Sequence, residues 1–334
     1  MIRQLHGIQY LRAVAAGAVV VYHAAQRTGT RFTVGEAGVD LFFVISGFLM
    51  IAITSPQTRP LGFLRDRIKR IVPAYWIATS VFLAGALLGL FPHARPDWMH
   101  IVASYLFIPH RAAGSEAIWP LLVPGWTLNF EMFFYALFAM TLAVPRVWQL
   151  PVLTVLLAGC GLIGGLVRPQ DAFGAFYTQP ILLEFVAGAW LGWYWKRYGA
   201  PPGGAAAIAL AIVLYVAAWW IDDHGLRVLT YGVPALLLFA GMLGLEHREG
   251  GIRHIPVLHR LGDASYAIYL WHTMILAVVV KAGRILGVPV PAIFVLGVAA
   301  SLAGGVAAWW LVERPINALF KRRRTRLGVP IPGM

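Results

Sequence analysis

One cysteine, Cys160, stands among 334 residues. An intrachain disulfide is therefore excluded, and so are zinc and iron–sulfur sites built from thiolates. No metal ligand set is read from the sequence. Charge is scarce too: Asp, Glu, Lys and Arg make up 12% of the chain, against about 25% in soluble domains. Acid is the scarcer half, with 14 Asp and Glu against 27 Lys and Arg. What fills the chain instead is apolar, 59% of residues with a mean hydropathy of +0.72. That composition describes a membrane protein rather than a large soluble core. There is no low-complexity segment, no solenoid period and no linker to a second domain.

A membrane-spanning helix needs about 20 mostly apolar residues. Ten such stretches are predicted, at about 8–26, 38–55, 71–91, 126–143, 151–168, 177–195, 205–221, 226–245, 264–285 and 291–312. The expected fold class is thus an all-α polytopic membrane protein. The run 98–108 is apolar but short, and reads as an interfacial or re-entrant piece. Arg12 inside the first apolar stretch argues for an uncleaved helix rather than a signal peptide. Alternate loops divide the basic residues 18 to 8, with Arg12 completing the 27. The positive-inside rule then places both termini in the cytoplasm. Most of the basic excess is topology and attraction to anionic lipid, so nucleic acid is not an expected partner. Residues 1–320 form one expected transmembrane domain, and 321–334 a short basic cytoplasmic tail.

Ionisable groups inside hydrocarbon cost at least ~2.5 kcal/mol each, so their positions carry information. In "LRAVAAGAVVVYHA", residues 11–24, Arg12 and His23 are eleven residues apart. Eleven steps of about 100° bring both to one helix face, their Cα atoms roughly 16 Å apart. By the expected topology, the outer half holds His23, Asp40 of "GVDLFFVISGF", Glu131 of "GWTLNFEMFFY" and, deeper, Glu184 of "ILLEFVAG". The inner edge holds Arg12, the "RDRIKR" run with Arg65, Arg67 and Arg70, and the Glu313–Arg314 pair of "VERP". Plainer roles exist for each alone. Arg12 could snorkel, His23 could sit at the interface, Asp40 could cap a helix, and the basic run could be topology. Ser46 reads as a small packing residue, and His272 of "YLWHT" as a core histidine at least as readily as a second base. Gly188 and Gly192 of "GAWLG" share a face suited to helix packing.

Together the two clusters suit a substrate that is polyanionic at one end and reactive at the other. Arg67 and Arg70, at i and i+3, can present two forks to a phosphate. Acyl-coenzyme A has this shape, its phosphates meeting the inner arginines and its arm running along the first helix to His23. No permanently bound cofactor is expected, acyl-CoA being a donor substrate.

The Arg-x10-His stretch, "GVDLFFVISGFLM", the R-x-x-R of "RIKR", "SYAIYLWH" and the terminal "VERP" resemble the membrane-bound acyltransferase 3 family, over a span from Gln9 to about Pro315. "GWTLNFEMFFYALF" is particularly similar to members that acetylate exopolysaccharides. The resemblance implies transfer of an acyl group, commonly acetyl, from cytoplasmic acyl-CoA to a surface or exported glycan at a bacterial inner membrane. It matches Arg12 and His23 to the helix-1 pair and Arg67 and Arg70 to the R-x-x-R motif. Some relatives carry an extra soluble domain. This chain is expected to acylate its acceptor directly at the membrane site.

The expected chemistry has His23 as general base, oriented by Asp40 or Glu131. Arg12, Arg65, Arg67 and Arg70 would hold the donor, and Trp126, Asn129 and Glu184 would contact the acceptor. The oxyanion donor is open among Asn129, Trp126 and Tyr22. A covalent acyl-His23 intermediate is the variant. The competing class is a proton-coupled transporter of a small anion or glycan intermediate, which the same buried charges would also suit.

Overall fold

The apolar stretches fold into helices that end where glycine, proline or charge interrupts them. The computed structural model describes residues 5–91, 94, 97–112, 116–221, 226–247 and 251–326, and none of these is in a strand. In chain order the helices are α1 (His6–Thr28), α2 (Gly38–Ile53), α3 (Pro60–Leu87), α4 (Trp98–Tyr105), α5 (Gly125–Thr141), α6 (Arg146–Val167) and α7 (Ala172–Tyr177). There follow α8 (Leu182–Tyr198), α9 (Gly204–Ala218), α10 (Val233–Glu246), α11 (Pro256–Asp263), α12 (Ser265–Ile285), α13 (Val290–Ala308) and α14 (Arg314–Arg326). Wide π turns at Val228–Gly232 and Trp309–Glu313 lead into α10 and α14.

Each predicted span contains a helix, and among the described residues seven segments are long and apolar enough to cross a membrane. The chain is a multi-pass membrane protein. α5 and α8, of 17 residues each, and α9, of 15, are shorter. Seventeen residues reach about 26 Å, a little less than the ~30 Å hydrocarbon layer. Two boundaries differ instructively from the hydropathy reading. α3 starts at Pro60 rather than near 71, with the "RDRIKR" run inside its first turns. Proline is favoured at a first helical position, and arginine and lysine propagate a helix well, although neither registers as apolar. The last apolar stretch continues through the π turn into α14, so helix extends to Arg326 within the expected tail. Residues 327–334 of that tail, and Arg3, Arg95 and Arg248 of the loop count, lie outside the described residues.

The short run predicted at 98–108 is α4. Its N-terminus is capped by Asp97, whose carboxylate accepts the His100 N–H at 2.8 Å, a bond that holds the Asp97 carboxyl below its ordinary pKa. Tyr75 and Trp76 of α3 donate to the Ser104 and Tyr105 carbonyls, tying α4 to α3.

α1 is packed by α2, α10, α11, α12 and α13. It ends at Gly29, whose φ of 76° lets its N–H turn back to the Ala25 carbonyl. α2 lies along α8 at backbone distance, for a Cβ added at Gly188 would come within 1.9 Å of the Val44 carbonyl oxygen. Aromatic rings fill the neighbouring space, with Phe185 of α8 stacked on Phe43 at 4.5 Å and on Phe134 at 4.4 Å. The C-terminal end of α2 is closed by two cations. Arg146 and Lys196 both donate to the Thr54 carbonyl, at 3.0 and 2.8 Å, where the helix dipole favours positive charge.

The α2–α8 contact gives a direct test. Gly188→Ala should destabilise the protein by about 1–3 kcal/mol through overpacking. Gly159→Ala in α6, where an added Cβ meets nothing within 4 Å, should be neutral or gain up to about 1 kcal/mol. Thermal unfolding of both variants in detergent measures the difference.

Candidate active site

A cavity of about 360 Å3 opens among α1, α2, α3, α5 and α12. Its lining on α2 runs from Val39 to Ile53, about 21 Å along the helix axis. One end is built from arginines: Arg12 on α1 with Arg67 and Arg70 on α3. Because α3 begins before its arginines, Arg67 and Arg70 share a helical face one turn below the apolar part of the same helix. The Arg67 guanidinium lies over the Phe63 ring at 5.8 Å, and its buried Nε has no hydrogen-bond partner. Glu313, at the end of the second π turn, comes within electrostatic reach of Arg12 and Arg70.

Midway along, Glu131 of α5 lines the wall with Tyr135 and Ser46. Tyr135 donates a very short bond to Glu131 Oε1, and the Ser46 hydroxyl donates to the same oxygen at 3.1 Å. Ser46 is therefore a hydrogen-bonding wall residue. The far end is formed by Val39, Thr127 and Tyr269, with Thr127 donating to the Tyr269 hydroxyl at 3.1 Å.

Beyond Tyr269 lie two histidines. The His272 ring is 5.8 Å from that of Tyr269 and 5.1 Å from that of His23. His272 is fully buried, and its Nδ1 stands 2.7 Å from the Tyr269 carbonyl. A carbonyl only accepts, so Nδ1 carries a proton, and in the neutral ring the partnerless Nε2 keeps its lone pair. His23 Nδ1 meets Gln26 Oε1 at 3.1 Å, and the Gln26 amide nitrogen donates to the Tyr22 hydroxyl at 2.7 Å. With the amide assigned this way, His23 is protonated at Nδ1 and Nε2 is left as an acceptor.

Asp40 does not turn toward His23. Its two oxygens accept from Arg227 Nε and Nη2 at 3.0 and 2.8 Å, and the same guanidinium binds Glu36. Glu184 faces Asp40 and packs against Gly232 at the first π turn. The structure thus sorts the sequence-predicted residues into groups. Arg12, Arg67, Arg70 and Glu131 share the cavity. Asp40 and Glu184 join Arg227 and Glu36, and His23 pairs with His272. Neither carboxylate expected to orient His23 reaches it, and the Nδ1 contact is made by Gln26 of its own helix. Arg65 is exposed outside the cavity. Trp126 packs edge-on against Phe43 and Phe130, and Asn129 is buried behind the wall. Arg227, at the edge of the predicted span 226–245, is a site residue that the sequence did not single out. Its place directly before an apolar stretch was the one local signal, and its partner Asp40 is 187 positions away.

These observations define a multi-pass membrane protein with a cationic cavity leading toward a histidine pair, the setting of a membrane-embedded group-transfer enzyme. The family model described as "Acyltransferase domain" matches residues 5–310, and the chain belongs to this acyltransferase 3 family. It is 44% identical over 317 residues to the exopolysaccharide production protein ExoZ of Rhizobium meliloti (strain 1021), covering 93% of this chain and 98% of that one. It is 24% identical over 380 residues to the acyltransferase MdmB of Streptomyces mycarofaciens, covering 98% and 95%. No solved structure matches.

The Arg227–Asp40 pair is shielded, with side-chain exposures of 14% and 0%. Arg227→Ala should therefore cost about 3–5 kcal/mol by leaving Asp40 buried and unpaired. The double variant Arg227→Ala with Asp40→Asn should recover part of that loss, read from unfolding midpoints in detergent.

Proposed function

We propose that this acyltransferase moves an acetyl group from acetyl-CoA in the cytoplasm to a hydroxyl of an exported or cell-surface glycan. In this reading the chain crosses a bacterial inner membrane ten times, with α5, α8 and α9 as the shorter crossings and both termini inside. The observation that supports it is the cavity, three arginines at one end and a largely apolar course of about 21 Å toward the histidines. Guanidinium groups take phosphate in two-pronged bonds, so Arg12, Arg67 and Arg70 receive the nucleotide end of the donor. The uncharged arm follows Leu49, Ile45 and Phe42, and the thioester comes to Tyr269 and Thr127. Arg65, exposed nearby, adds positive charge at the entrance.

His23 Nε2 then takes the proton of the acceptor hydroxyl as its oxygen attacks the thioester carbonyl. The tetrahedral intermediate collapses by breaking the carbon–sulfur bond, and the proton passes from His23 to the departing thiolate. The products are a glycan ester and free CoA. Gln26 holds the Nδ1 side of the ring during the transfer, and His272 accepts a hydrogen bond beside it. Asp40, Glu184 and Arg227 shape the outer wall, where Trp126 and Asn129 support the acceptor side. The name of the ExoZ relative favours an exopolysaccharide as acceptor.

Two measurements test this. Purified protein given acetyl-CoA and acceptor glycan should release CoA thiol, and His23→Ala should lower that rate by about 100- to 10,000-fold without loss of membrane insertion. A carrier releases no thiol, so its absence with the native acceptor present overturns the reading. Arg67→Ala with Arg70→Ala should raise KM for acetyl-CoA by about 10-fold or more, the scale of lost charge-assisted bonds, while KM for the glycan stays put.

A further inference from the structure

Three imidazoles converge at the start of α1, away from the cavity. His6 opens the helix, His254 lies in the stretch before α11, and His259 lies within α11. Their ring centroids are 5.1 Å (His6–His254), 5.7 Å (His6–His259) and 5.3 Å (His254–His259) apart, with ring planes inclined by 59°, 69° and 53°. None of the three pairs is stacked face to face. One nitrogen from each lies within 4.8 Å of the others.

The segments that carry them are held together largely by backbone contacts. The Tyr10 hydroxyl donates to the Arg253 carbonyl at 2.8 Å and accepts the Ile255 N–H at 2.6 Å, gripping the residues on both sides of His254. Glu246 Oε2 accepts the Gly7 N–H at 3.1 Å, next to His6. Gly262 lies so close to Gln9 that an added Cβ would come within 2.2 Å of its carbonyl oxygen, which presses α11 onto α1. Two details then point to a ligand. His6 Nδ1 is buried with no hydrogen-bond partner. His259 Nδ1 stands 3.3 Å from Asp263 Oδ2, the carboxylate arrangement that fixes a ligating histidine's tautomer and turns Nε2 toward a metal.

We propose that His6, His254 and His259 form a three-histidine site for a divalent transition metal of the zinc class. Neutral imidazole suits such ions, whereas magnesium and calcium require oxygen ligands. Tetrahedral zinc, bound at about 2.0–2.1 Å, sets its nitrogens about 3.4 Å apart. Reaching that from within 4.8 Å is a contraction of at most about 1.4 Å, taken up largely by exposed His254. Water fills the fourth position. The bound ion would fasten the segment around His254 to α1. It would also draw on Asp263, which lies within electrostatic reach of Arg12 at the cationic end of the cavity.

The test uses the full chain, purified in detergent with a histidine-free tag and stripped by chelator. Cobalt(II) should bind at one equivalent per chain with the intense visible bands of a tetrahedral site, and zinc should displace it. Asp263→Asn should weaken zinc binding by about 10- to 100-fold, and both His254→Ala and His259→Ala should weaken it further. His247→Ala, outside the cluster, should change nothing. His254 is exposed, so its substitution removes no buried contact. Absence of saturable one-to-one binding, or binding that survives both His254→Ala and His259→Ala, overturns the proposal.

Discussion

Three guanidinium groups share one end of a cavity within an otherwise apolar bundle, and much of the architecture serves to keep them there. Each would be costly in hydrocarbon alone. Arg12 and Arg70 are countered by Glu313, delivered by the second π turn, while Arg67 lies nearer Glu131 and Tyr135. Glu313, Glu131, Asp263 and Asp66 all lie within electrostatic reach of these cations, yet the Arg67 Nε is left without a hydrogen-bond partner. An anion entering this end meets a guanidinium nitrogen, Arg67 Nε, that is buried there without a partner. Phosphates do this with the right geometry, which is why the cationic end matters more to the functional reading than any single residue beyond it.

The opposite end follows a different principle. There a single guanidinium, Arg227, is shared by Asp40 and Glu36 within the protein itself, and His23 and His272 are both assigned as neutral rings with one lone pair each. Imidazoles with a free lone pair suit proton transfer, whereas converging guanidinium groups suit binding of polyanions. The separation of these two environments along about 21 Å of α2 is what gives the cavity a direction.

How much of this was legible beforehand depends on whether the information was local. Hydropathy located the helices because membrane burial acts over a single segment. Helical periodicity put Arg12 and His23 on one face, and Arg67 with Arg70 on another, because a face is set by angle alone. Partnership is different. Asp40 looks as suited to His23 as to Arg227 until the first π turn brings Arg227 over it from 187 positions away. Glu131 likewise pairs one turn along its own helix with Tyr135 and across to Ser46, contacts that depend on how α2 and α5 are rotated. His6 and His254 meet only because Tyr10 clasps the backbone around His254. The start of α3 was hidden for another reason: its first turns are helical but charged, and a scale of apolarity is blind to them.

The wide turn at Trp309–Glu313 carries one residue more than a regular α-turn would hold. Each helical residue advances the side-chain direction by about 100°, so this surplus decides which neighbour looks inward. As built, Glu313 is turned to Arg12 and Arg70, while Arg314 rests on the Trp310 ring at 4.8 Å. Wound as a regular α-turn of the same length, the segment would carry Glu313 about 100° away from Arg12 and Arg70. The polarity of the pore mouth is therefore written in the winding of a single helical turn as much as in its composition.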